Sequence, residues 1–283
     1  MRGVLKLVLI VGGLVMVGGL VLSLVGRLRD AAHIIRCQNN MRDIGQACDN
    51  YHGAFGHFPA GTVGNGAFNP EKRLSWLTQL WPGFMQGGTK SLLDETRAWD
   101  DSANCPPRCE HRIDMETAAM REELFGELRV FLCPANLGRA PASLPSPTHY
   151  VGIAGLGEHA AELPVSDPRA GLFGYDRRVS RGDIKDGLAT TMAVAEVIDG
   201  GPWTAGGRAT IRGLLPGDQP YLGERGQFSA LHRDGYLFLG SRPVVTNILF
   251  ADGSARPFTV SVSPGVFEAL ATIAGGEQVD ELP

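Results

Sequence analysis

The residues able to do chemistry in this chain are few and scattered. His232 and Asp252 could form a hydrogen-bonded or metal-binding pair near a hairpin. The structural alternative is that Asp252-Gly253 makes the turn and His232 ends a strand, and that reading is preferred. Ser229 stands three residues before His232, but nucleophilic catalysis also needs an orienting group and an oxyanion donor, and no G-x-S-x-G occurs. Cys105-x-x-x-Cys109-x-His111 offers three zinc ligands. A structural zinc site wants four at tighter, paired spacing, so a loop disulfide or free thiols are preferred. Asp183 and Asp186-Gly187 place two carboxylates by a turn, too few oxygens for calcium. Glu196 is the odd residue: it sits within the apolar run Met192–Ile198, and a buried carboxylate must be paired or face water. His52 and His57 read as surface or packing residues. No catalytic residue, cofactor or metal set is expected.

The elements that position these groups begin with the first sixty residues. Val4 to Val25 carries one charge, Lys6. Its 22 residues span roughly 33 Å as a helix, enough to cross a bilayer. From Asp30 the chain becomes polar but keeps an apolar stripe. Ile34, Cys37, Met41, Ile44, Cys48, Tyr51 and Phe55 alternate in steps of three and four, which puts them on one helix side. No proline interrupts the run up to Phe58, and Gly53, Gly56 and Pro59 end it. The expectation is one long helix, a membrane span continuing into an amphipathic half that lies on a globular body. The domain division is residues 1–29 as anchor and 30–283 as body.

The apolar run is longer than a signal-peptide core, and Ala31-Ala32 follows Arg27, Arg29 and Asp30, so a retained anchor is expected. Positive charge on both flanks leaves its orientation undecided. A net charge of −4 and no basic-aromatic interleaving make nucleic acid an unexpected partner. The 38 Gly and 18 Pro, without a period, point to many turns around short strands. Five cysteines is an odd number, so if disulfides form outside the cytoplasm at least one is left over. Cys37 and Cys48 lie about three turns apart on one helix, too far to bridge each other. Either could meet a cysteine from elsewhere, such as Cys133, and Cys105 with Cys109 could close a small loop.

Beyond Gly61, Leu74 to Phe84 reads as a short helix ended near Pro82, Thr89 to Trp99 as another, and Arg112 to Arg129 as an amphipathic helix. Val130–Pro134 reads as a strand stopped by proline. Strand patterns follow at His149–Ala154, Met192–Ile198, Tyr236–Leu239, Val244–Ala251 and Ala255–Val262, the last two flanking the hairpin signal Asp252-Gly253. Ser263-Pro264 opens a final helix with Phe267, Leu270 and Ile273 inward and Gly275-Gly276 as its cap. The class is α+β: a long helix packed on a mainly antiparallel sheet with short extra helices.

Several pieces resemble a large bacterial family in order. They are Cys37 through Ala47 with Asn39, Asn40 and Gly45; Tyr51-His52; Phe58-Pro59-Ala60-Gly61; Phe131-Leu132-Cys133-Pro134; Tyr150 to Gly155; Ile184 to Gly187 with Glu196; Phe228 to His232; and Phe250 to Ser254. The family is the prepilin-type, processing-associated domain of unknown function, whose hallmark is a His followed nine residues later by Asp-Gly. The resemblance implies a pilin-like or pseudopilin-like body on a membrane-embedded stem, and no established reaction. Some classifications label the family solute-binding. Two features depart from it. The start, Met1-Arg2-Gly3-Val4-Leu5-Lys6, lacks the prepilin junction and its acidic residue, and 19 residues separate His232 from Asp252.

The expected function is therefore a membrane-anchored, pilin-like structural or interaction protein. It is not an enzyme, its body is exposed outside the cytoplasmic membrane, and its partner is unnamed. The alternative is an anchored solute- or glycan-binding module using Trp76, Trp81, Trp99 or Trp203.

Overall fold

The computed structural model describes residues 2–64, 66–84, 93–104, 128–136, 147–233 and 243–277. Helix α1, Arg2–Phe55, runs 54 residues without a break, roughly 80 Å at the α-helical rise. Its first half is apolar and bare: Leu14 is 67% exposed and Leu22 75%. That half is long and apolar enough to cross a membrane. The second half buries Cys37, Met41, Ile44, Ala47 and Cys48. The stripe fades at its ends. Ile34 and Tyr51 are half-buried, and Phe55 lies exposed with its ring against Tyr51, centroids 4.5 Å apart. Gly56, at φ 78° with its N–H on His52 O, stops the helix.

Helix α2, Trp76–Phe84, follows, and it runs through Pro82 where the sequence suggested a stop. Val130–Pro134 is not a strand. Leu128–Phe131 forms a 3-10 turn and Cys133 starts the next turn; Phe131 O accepts from the N–H of His149 and the hydroxyl of Thr148, and Pro134 has no N–H to donate to a ladder. Residues 93–99 form turns, with Asp94 Oδ1 accepting from the Thr96 N–H at 2.9 Å. The rest of the helix expected at Thr89–Trp99, the helix expected over Arg112–Arg129 up to residue 127, the strand Tyr236–Leu239, and Cys105, Cys109 and His111 lie outside the described residues.

Among the described residues the sheet holds six strands: β1 Tyr150–Leu156, β2 Met192–Glu196, β3 Ile211–Leu214, β4 His232–Arg233, β5 Val244–Phe250 and β6 Ala255–Thr259. The order is β3-β1-β2-β5-β4, with β6 also on β5. Every pairing is antiparallel except β1–β3. Strand β3 is not evident from the sequence, because Arg212-Gly213 breaks its apolar pattern. Strand β5 is buried along its whole length, and it alternates faces as a pleated strand must. Leu249 and Ala251 join the layer under α1 with Met41, Ile44, Tyr150 and Val194. Ile248 and Phe250 join the opposite layer with Phe258 and Phe267. A bulge between Met192 and Val194 puts Ala193 and Val194 in the same layer.

Helix α3, Pro264–Ala269, closes the second layer, with Ser263 Oγ accepting from the Val266 N–H. Gly275 and Gly276 do not cap it. Their N–H groups bind the Asp186 carboxylate at 2.8 and 3.0 Å.

Candidate functional site

The sheet register assembles one polar cluster inside the core. On β5, Leu249 and Ile248 pair with β2 on one side and with β6 on the other, while Val245 pairs with β6 and with His232. Strands β2 and β4 therefore lie end to end along one edge of β5. Ala195 faces Ile248, so Glu196 falls level with Asn247, two residues from the Val245 that faces His232. Residues 245, 247 and 249 point to the α1 side by the period of two. The end of one short strand and the start of another thus aim Glu196 and His232 at the same spot beneath α1.

Helix α1 supplies Cys37 to that spot and the turn after residue 131 supplies Cys133. Around His232 Nε2 stand Glu196 Oε1 at 2.8 Å, Cys37 Sγ at 3.2 Å and Cys133 Sγ at 3.3 Å. The four donor atoms all lie within 4.8 Å of one another. None of the four residues is more than 2% exposed. Both cysteines are free thiols, as is Cys48; the bridge suggested for Cys37 with Cys133 is not formed, although their sulfurs are neighbours.

A ring of amides and hydroxyls holds the cluster. The Asn247 backbone N–H and Nδ2 donate to Glu196 Oε2 at 3.2 and 2.9 Å. Gln38 Nε2 donates to Asn247 Oδ1. Tyr150 hydrogen-bonds the Cys37 sulfur. Asn40, one turn after Cys37, donates through Nδ2 to Leu132 O at 3.1 Å and to Tyr150 Oη at 3.3 Å. The Cys133 N–H donates to His149 Nδ1 at 2.8 Å, which places the ring proton on Nε2.

The charge states follow from these contacts. Burial alone would push Glu196 up, but the His232 bond and charge outweigh it and hold the carboxyl below its ordinary range. Burial works against a charge on His232 too. The contacts with Cys133 and Glu196 reverse that and raise it to about 10. Cys37 is raised chiefly by burial. Cys133 is raised by its bond with Cys37 and then by burial. Burial drives His149 down to about 4, against the pull of Glu196. Thiols this raised are poor nucleophiles, and all four side chains are buried.

The family model for a protein of unknown function (DUF1559) matches residues 27–265. The chain belongs to that family. No curated protein and no solved structure matches it. In this DUF1559 chain the match begins after the bare apolar half of α1 and covers every residue of the cluster.

The other positions singled out from the sequence have separate places in the DUF1559 body. Asp252 is not beside His232. It sits at the β5–β6 turn, roughly 20 Å along β5, where Oδ1 accepts from the Ser254 N–H and hydroxyl at 2.8 and 2.6 Å and Gly253 takes φ 82°. The turn reading of Asp252-Gly253 agrees with this. Asp183 accepts from Ser180 as a cap. Ser229 is buried in the segment before β4. Asn39 is exposed and accepts from Arg42. Gly45 lets α1 ride on the β5–β6 turn, for a Cβ there would stand 3.2 Å from Gly253 Cα and from Leu249 Cδ1.

Tyr51 donates to Gln79, and His52 accepts from the Arg181 N–H while its ring lies against Phe58. Phe58 and Pro59 are buried, and the Gly61 N–H binds Gly174 O. Pro134 is half-buried beside Cys133. His149, Asn247, Gln38 and the role of Cys133 were not flagged by sequence reasoning. The one available signal was Glu196, a carboxylate in an apolar strand that had to find partners.

Proposed function

We propose that this protein is a membrane-tethered, pilin-like structural or protein-interaction protein that performs no catalysis, with its body held outside the cytoplasmic membrane. The observation that carries this reading is the division of α1. One unbroken helix is bare and apolar through Val25 and buried in the body from Cys37 to Cys48. A side chain such as Leu22, 75% exposed, is costly in water and at home in lipid. The mainly antiparallel sheet beneath the second half matches the pilin-like arrangement that the sequence pieces resemble. The non-catalytic reading draws support from the burial of the Cys37, Cys133, Glu196 and His232 cluster.

The alternative, an anchored solute- or glycan-binding module, has less support. Trp76 and Trp203 are core residues, 0% and 4% exposed. Trp99 spends its indole N–H on Glu71 O. The open cleft of about 630 Å³ between Asn69–Glu71 and Ala161–Val165 has no tryptophan in its lining.

A cysteine placed at exposed Ser166 tests the topology. A membrane-impermeant maleimide should label Ser166→Cys in intact cells. Labelling that appears only after permeabilisation would overturn the placement. Photo-crosslinking from the body in intact membranes, read by mass spectrometry, should then capture a protein neighbour; a body that crosslinks only to lipid argues against the interaction role.

A further inference from the structure

We propose that Cys37, Cys133, Glu196 and His232 form a closed, four-ligand site for a thiophilic divalent cation of the zinc class. This inference does not depend on the tether reading above. It starts from an over-subscribed nitrogen. His232 Nε2 has three partners within 3.3 Å, a carboxylate oxygen and two sulfurs. An imidazole nitrogen has either one proton to give or one lone pair to offer. As a donor it serves one of the three well, and as an acceptor it faces the carboxylate lone pairs of Glu196 at 2.8 Å. Something positive must stand between Nε2 and Oε1. A proton satisfies that pair and leaves both sulfurs as bystanders. A cation accepts from all four groups at once.

The donor set fits such an ion. Two sulfurs, one imidazole nitrogen and one carboxylate oxygen are the ligand types that zinc takes, and four is the number a structural site uses. Bonds of the usual lengths place tetrahedral donors roughly 3.3–3.8 Å apart. The sulfur–nitrogen distances of 3.2 and 3.3 Å stand about 0.3 Å inside the roughly 3.55 Å of a zinc-bound sulfur–nitrogen pair, so the ligands must spread slightly around the ion. The carboxylate–imidazole distance has to open by about half an ångström for zinc-length bonds. The supporting contacts are also those of a metal site: Asn247 grips the far oxygen of Glu196, and Tyr150 reaches the Cys37 sulfur. The ligands come from α1, the turn after residue 131, β2 and β4, which are far apart in sequence, so the ion rivets the stem helix to the sheet.

Binding is an acid–base exchange without electron transfer. The two thiols and the imidazolium give up three protons, and the freed lone pairs with the Glu196 oxygen bond the ion. Oxidation of the two sulfurs to a disulfide is the competing chemistry, and the experiment separates the two.

Full-length protein is purified in mild detergent under reducing conditions, its metal content is measured by elemental mass spectrometry, and the ion is exchanged for Co²⁺. The expected result is about one zinc-class ion per chain, with intense tetrahedral Co²⁺ absorption and a thiolate-to-cobalt charge-transfer band. Cys133→Ser should lose about half of that band, and Glu196→Gln should weaken Zn²⁺ binding at least tenfold. Cys48→Ala, which removes a buried thiol away from the cluster, should bind as the parent does. Two outcomes overturn the proposal. One is a folded parent chain, melting cooperatively, that takes up neither Zn²⁺ nor Co²⁺. The other is a Cys37–Cys133 disulfide found by differential alkylation of protein taken directly from its native membrane.

Discussion

Two isoleucines in α1 differ mainly in which side of the helix they occupy, and they measure how tightly the stem is bound to the sheet. Ile44 is 0% exposed and belongs to the layer that includes Trp76, Tyr150, Val194 and Leu249; Ile35 is 56% exposed. Changing either to Ala removes the same three carbons. At ~0.8 kcal/mol per buried methylene the transfer loss at Ile44 is about 2.4 kcal/mol, and the cavity left behind raises it to about 3–4 kcal/mol. At Ile35 nothing leaves the core, and the better helix propensity of Ala contributes a gain of a few tenths of a kcal/mol. With a urea dependence of about 3 kcal/mol per molar, Ile44→Ala should lower the unfolding midpoint by about 1 M while Ile35→Ala leaves it within 0.2 M or so. Fluorescence of the buried Trp76 and Trp203 follows the transition in the detergent-solubilised chain. Equal midpoints for the two variants would refute the packing of the stem on the sheet, and with it the split of α1 into two halves.

The other predictions concern single contacts. Gly155 has φ 110°, and a Cβ there would stand 2.0 Å from Arg169 O; Gly155→Ala should cost at least about 3 kcal/mol and lower Tm by about 10 °C in a thermal melt. Arg177 is buried and gives its two terminal nitrogens to four carbonyls, those of Ala160, Leu163, Ala154 and Phe173. Lysine cannot reproduce that fork, so Arg177→Lys should cost about 2–4 kcal/mol in the same melt and Arg177→Ala no less. Tyr221 is raised to about 12, by burial first and then by its bond to Glu268. A phenol raised by folding adds stability that is complete below pH 10 and drains away as pH climbs towards 12; Tyr221→Phe should flatten that alkaline decline, and an unchanged decline would remove Tyr221 from its cause.

Helices α1, α2 and α3 and the β5–β6 hairpin were legible because each rests on a local period or a local signal, whereas residues 93–99, read as part of a helix, form turns. The three-four spacing of Cys37, Met41, Ile44 and Cys48 marks the buried side of α1, and Ser263-Pro264 marks the start of α3. Phe55 broke the pattern because the helix outruns the body there. Strand β3 escaped because a parallel partner strand imposes no local turn, and four residues with Arg212-Gly213 among them carry no alternation.

The cluster was illegible for a different reason. Its members are far apart in sequence, and only the register of β2 and β4 along one edge of β5 brings Glu196 and His232 together. Sequence reasoning weighed His232 with Asp252, its neighbour in the motif, and preferred the turn reading; the fold carries Asp252 to the far end of β5. Glu196 announced a buried partner without naming it, since charge balance says that a cation or proton is needed but not where the chain finds one.

The absence of any break in α1 has a mechanical consequence. Eleven residues separate the end of the apolar run at Val25 from the first fully buried position at Cys37, about three helical turns, all of it helical. With the first half in a bilayer, the body stands off the surface on a stiff mast of roughly 16 Å instead of swinging on a loop. From Leu14 to Ile44 the lever is roughly 45 Å long, so a tilt of about 20° sweeps the body sideways by roughly 15 Å. Pull or shear on the body would therefore arrive in the membrane as a change of tilt, and thinning of the membrane would arrive at the body as a change of reach.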